Sequence, residues 1–152
     1  AQIDSGIPLL HDHLLQTALR LPDKVAVVCK GVQVSYGEMN AASNALAHAL
    51  QRRGVERGDR VLVFADNTIE TAVAFWAVLK ANAVVSIVNP LTKADKLAYL
   101  MNDCRAKALI TDAHLAGVYQ MAAERSAHLR PGRQRDHGAP AGHRDLHRHG
   151  HR

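Results

Sequence analysis

Between Arg60 and Arg125 the sequence predicts an α/β fold, because three short β-rich runs (RVLVFA, VVSIV and KALIT) alternate with segments long enough to be helices. Strands separated by helical crossovers do not pair as hairpins, so the sheet is expected to be mostly parallel, with right-handed connections. A helix and a small β-hairpin are expected before this alternation, and the composition changes abruptly after it.

In chain order, Pro8–Asp23 places Leu10, Leu14 and Ala18 four apart with Leu15 and Leu19 beside them, a helical stripe that should end near Leu21 because Pro22 restricts the residue before it. VAVVC and VQVSY flank Lys30-Gly31, which reads as a hairpin with a two-residue turn. Ser35 and Glu38 have capping-box spacing. Met39, Ala42, Leu46, Ala49 and Leu50 follow on one helical face, and Gly54 suits a left-handed helix end. RVLVFA (Arg60–Ala65) is a strand, and Asn67 with Glu70 is a second expected cap, before ETAVAFWAVLKA. VVSIV (Val84–Val88) is stopped by Asn89-Pro90. Thr92 with Asp95 should open a helix whose inner face holds Leu97, Leu100, Met101 and Cys104. KALIT (Lys107–Thr111) then leads to a weaker helix from Ala113 to Arg125.

The 152 residues, 47% of them hydrophobic, suit one globular domain. The longest apolar run, Ala72–Leu79, is far shorter than the roughly 20 residues a membrane-spanning helix needs, and no secretory leader is indicated. Cys29 and Cys104 lack metal-ligand spacing and read as small apolar residues in a reducing cytosol, so the expected location is cytoplasmic. The net charge of +5 resides mostly in residues 130–152, which hold six arginines against two aspartates. That segment has no Val, Ile, Phe, Tyr or Trp, and Leu146 is its only large apolar residue. It is therefore expected to be a disordered Arg/His-rich tail, with the composition of a GC-rich coding sequence read out of frame.

Three segments carry a family likeness by their order and spacing: SYGEM (Ser35–Met39), GVERGDRVLVFADN (Gly54–Asn67) and LKANAVVSIVNP (Leu79–Pro90). The chain resembles the start of AMP-forming acyl-CoA synthetases and related adenylate-forming enzymes over roughly residues 8–129. The resemblance implies a parent ligase that uses ATP and Mg²⁺ to join a carboxylic acid to CoA or a carrier-protein thiol through an acyl-adenylate, as in fatty acid metabolism. The matching segments resemble scaffold, so the likeness transfers no catalytic, cofactor-binding or metal-binding residue to this chain. At Asn82 the family usually has glycine, and asparagine is the residue that best replaces it at a left-handed helix end.

The family's Ser/Thr/Gly-rich, lysine-ended phosphate loop has no counterpart in the sequence, nor do its later acidic residue and C-terminal lysine. Residues 1–129 are accordingly expected to be the incomplete N-terminal part of an adenylation domain, a fragment inactive by itself and needing no cofactor of its own. G-x-G-x-x-G and G-x-x-x-x-G-K-[ST] are also missing, which argues against dinucleotide and P-loop chemistry. His11, His13, His48 and His114 pair with no recognisable nucleophile, so a Ser/His/Asp site is not expected. His143-Arg144-Asp145 spells the start of a kinase catalytic loop without the accompanying motifs. The alternative is a small α/β binding module whose tail, through His137, His143, His147, His149, His151 and its arginines, contacts metal or nucleic acid. Nucleic acid is disfavoured, because no aromatics interleave the arginines.

Overall fold

A computed structural model describes residues 8–129, and the expectations for the Arg/His-rich tail lie outside the described residues. Helix α1 (Leu10–Arg20) rests on the next two helices through Leu14 and Ala18, its buried residues. Leu15 and Leu19, expected to share that stripe, are exposed, because only one narrow side of α1 meets the rest of the molecule. Strands β1 (Val25–Cys29) and β2 (Val32–Ser35) form the expected antiparallel hairpin, with Lys30 and Gly31 both at positive φ in the turn.

Helix α2 (Tyr36–Arg52) starts with the expected reciprocal box: Glu38 N–H donates to Ser35 Oγ at 3.2 Å, and Ser35 N–H to Glu38 Oε2 at 2.8 Å. The backbone bond from Ser35, followed by that to its hydroxyl, holds the Glu38 carboxyl below its usual range. The buried line on α2 is Met39, Ser43, Ala47 and Leu50, and Ala42 is exposed. This face is turned slightly from the expected one, because small Ser43 and Ala47 sit at its centre, where α3 (Ile69–Lys80) approaches closely.

Strands β3 (Arg60–Phe64), β4 (Val84–Val88) and β5 (Ala108–Thr111) make a three-stranded parallel sheet in the order β4-β3-β5. The central strand is buried on both faces, as a parallel strand covered by helices must be. Its alternate residues divide the core. Leu62 and Phe64 pack with Val88, with Leu97 and Met101 of α4 (Ala94–Asp103), and with Ala122 of α5 (Ala116–Glu124). Val61, Val63 and Ala65 face the α2–α3 side, where the partners are mostly alanines, Ala47, Ala74 and Ala77 among them. The result is a helix–sheet–helix sandwich.

Each strand of the sheet is entered through the same device. Helices α2, α3 and α4 end at Gly54 (φ 85°), Asn82 (φ 57°) and Arg105 (φ 50°), all left-handed. One residue on, the chain donates back into the helix: Val55 N–H to Leu50 O at 3.1 Å, Ala83 to Val78 at 3.1 Å and Ala106 to Met101 at 2.9 Å. These are the long hydrogen bonds of Schellman helix ends, and the apolar pairs they join are all buried. The loops then tie the strands together at their amino ends, with Gly58 N–H donating to Asn82 O, Val84 to Asp59 O and Lys107 to Arg60 O.

Two expected caps are displaced. Helix α3 is capped by Thr68, whose hydroxyl accepts from Thr71 N–H, rather than by Asn67 with Glu70. Helix α4 begins after Lys93 without a side-chain cap, because Thr92 is part of a tight turn in which its N–H donates to Asn89 O at 2.9 Å. The expected last helix is divided into a 3-10 turn (Ala113–Leu115) and α5.

Candidate functional site

Because the sheet is parallel, its three carboxyl ends open to the same side, where α/β folds place their ligands. The chain leaving β3 enters α3, on the face lined by Val61 and Val63. The chain leaving β5 enters the 3-10 turn and α5, on the opposite face. The two exits therefore leave neighbouring strands toward opposite faces of the sheet. Phe64 and Thr111 are partners in the β3–β5 register, which brings the segments containing Asp66 and Asp112 together.

Asp66 N–H donates to Asp112 Oδ2 at 2.8 Å, and Thr71 Oγ1 donates to the Asp66 carbonyl, which fixes both exits. His114 Nε2 lies 3.3 Å from Asp66 Oδ2, and both side chains are at least half exposed. On the other flank of the same loop an apolar groove of about 510 Å³ runs between the hairpin, α3 and β4, with Val28, Phe75, Trp76 and Ile87 in its walls. The Phe75 and Trp76 rings meet edge to face, with centroids 5.3 Å apart.

A second depression, bounded by α1, α2 and the end of α3, is lined mostly by polar residues. Lys80 Nζ donates there to Asn40 O at 3.2 Å, Asn40 Oδ1 at 2.6 Å and Asn44 Oδ1 at 2.7 Å. Burial lowers the Lys80 pKa, while three oxygens gathered around the ammonium favour its charged form. All its donors are thus engaged in holding α3 against α2. His11 and His48 share the wall of this depression, but no nucleophile accompanies them.

Among the residues singled out by the sequence, His48 is exposed, and Cys29 and Cys104 are free and partly buried, with Cys29 Sγ 3.8 Å from Asn67 O. The tail histidines lie outside the described residues. The Asp66–Asp112–His114 grouping was not legible in advance, since the two aspartates are 46 positions apart and His114 reads as isolated. The D-x-H spacing at 112–114 is the one local signal that points to it.

The described glycines do not form a nucleotide cradle. Gly31, Gly54 and Gly58 serve a hairpin turn, a helix end and a loop, and a methyl group added at any of them would meet no atom within 4 Å. Gly37 packs against Pro22, and Gly117 faces open space. None of the described glycines thus supplies a phosphate cradle, and no step of adenylation is assigned to the described residues. No helix among the described residues is long and apolar enough to cross a membrane.

Comparison with known proteins agrees with the scaffold. Tyrocidine synthase 3 of Brevibacillus parabrevis is 34% identical over 102 residues, which cover 67% of this chain and 2% of that protein. Phosphinothricin tripeptide synthetase PhsC of Streptomyces viridochromogenes is 39% identical over 110 residues, 72% of this chain and 10% of that one. A Mycobacterium tuberculosis fatty acyl CoA synthetase superimposes with a TM-score of 0.68 at 29% identity, over 72% of this chain and 22% of its own. The chain thus spans only a small part of the relatives it matches. The model of the AMP-binding enzyme family matches residues 14–144, and the chain belongs to that family of adenylate-forming enzymes as an N-terminal portion.

Proposed function

We propose that this chain supplies the N-terminal scaffold of an enzyme that activates a carboxylic acid as its acyl-adenylate and passes it to a thiol, and that residues 1–152 do not catalyse adenylation by themselves. The observation that carries this reading is the family match over residues 14–144 on a chain whose described glycines are all structural. Stabilising charge on a transferring phosphoryl group needs a preorganised set of donors and cations, which belongs to the part of such enzymes that this chain does not span. The relative named as a tripeptide synthetase and the one named as a CoA synthetase leave the thiol acceptor as either a carrier protein or CoA. The apolar groove beside Phe75 and Trp76 offers one wall to an acyl group in this reading.

The test is incubation of the chain with ATP, Mg²⁺ and a panel of amino, aryl and fatty acids while pyrophosphate and AMP are followed. No release above the protein-free rate is expected. Turnover dependent on both the acid and the protein would overturn the proposal.

A further inference from the structure

We propose that Asp66, Asp112 and His114 form a divalent-cation site just beyond the carboxyl ends of β3 and β5. One ligand atom from each lies within 4.8 Å of the other two, a spacing from which small side-chain movements close on one ion. The donor set is mixed, two carboxylates and one imidazole, which suits first-row divalent metals. The aspartates follow different strands, whose pairing ends at Phe64 and Thr111, and the bond from Asp66 N–H to Asp112 Oδ2 holds the two exits together just beyond it.

Charge supports the assignment. Two carboxylates are brought together here, and among the described residues neither is ion-paired with a lysine or arginine; His114 is the one basic group against them. A divalent ion would compensate both charges. The hydrogen bond from Asp66 N–H occupies Asp112 Oδ2 and orients the carboxylate, leaving its other oxygen for coordination. His114 Nε2, already beside Asp66 Oδ2, would share the ion with that carboxylate as the neutral imidazole. The half-exposed position leaves room for water or an anionic ligand to complete the shell. The position itself, over strands whose following helices lie on opposite faces of the sheet, is where open α/β sheets collect ligands.

Mn²⁺ is the appropriate probe for the full chain, since the clustered imidazoles of the tail favour Zn²⁺, Ni²⁺ and Cu²⁺ over a harder ion that accepts carboxylate and water. The chain is titrated with Mn²⁺, free ion is measured by electron paramagnetic resonance, and amide signals are followed by NMR. The expected result is one saturable site, with early paramagnetic broadening at Asp66 and at residues 112–114. Asp112→Asn and, separately, His114→Ala should each weaken binding on the order of tenfold or more while amide dispersion is kept. Broadening confined to the tail or spread over the acidic surface would overturn the proposal, as would unchanged affinity in both variants. If Asp112→Asn loses its fold, His114→Ala, on an exposed 3-10 turn, decides the matter alone.

Discussion

The two ends of the parallel sheet are built on different terms. At the amino ends, α2, α3 and α4 stop in the same way, at a left-handed residue followed by a backbone bond into the helix, and the strand entrances then bond to one another. At the carboxyl ends no such repetition exists: β3 leaves through Asp66 and the Thr68 cap, β4 through the turn at Asn89, and β5 through Asp112 into a 3-10 turn. Main-chain bonding organises one end, and side chains occupy the other. Two of the three segments that carry the family likeness, GVERGDRVLVFADN and LKANAVVSIVNP, each run from the amino-end device through a strand to its exit at the other end.

If this division is right, substitutions at the two ends should differ in effect. The largest change is expected for Gly58→Val. An added Cβ would meet nothing within 4 Å, yet φ is 83°, so the cost is backbone strain of roughly 1–2 kcal/mol and should appear as a lower urea midpoint. A smaller effect of opposite sign is expected at the helix ends. Arg105→Gly should stabilise by about 0.5–1 kcal/mol by removing a left-handed non-glycine residue, and Asn82→Gly by less, since asparagine already tolerates that conformation. Equal gains at the two sites would break the claim that asparagine suits this conformation better than arginine, and no gain at either would break the claim that one device serves all three helices. The smallest effect is expected at the other end: Asp112→Asn retains an acceptor for the Asp66 N–H and should stay within about 0.5 kcal/mol of the parent in urea unfolding. A large loss there would show that the carboxyl end also holds the fold.

What the sequence revealed follows the same division. Gly54 and Asn82 declare left-handed helix ends by residue type, whereas Arg105 does so only in context, because arginine has no preference for that conformation. The capping box at Ser35 was legible because both halves are local. The cap of α3 was misplaced by one residue, since Asn67 and Thr68 are both good caps and the choice depends on Thr71, whose amide meets one threonine hydroxyl and whose own hydroxyl ties back to Asp66. Of the grouping of Asp66, Asp112 and His114, only the D-x-H spacing at 112–114 is local, and nothing in the sequence joins Asp66 to it. The grouping exists through the β3–β5 register, and pairing between distant strands leaves no periodic trace in the residues it joins.

The strand order β4-β3-β5 also has a consequence for synthesis. Of the three strands of this sheet, the first to leave a ribosome is the one that finishes in the middle, and the two later ones each arrive at an edge that is still open. No strand has to be inserted between two that are already paired. Newly made chain can add to this sheet outward, one flank after the other, as each crossover helix closes behind it.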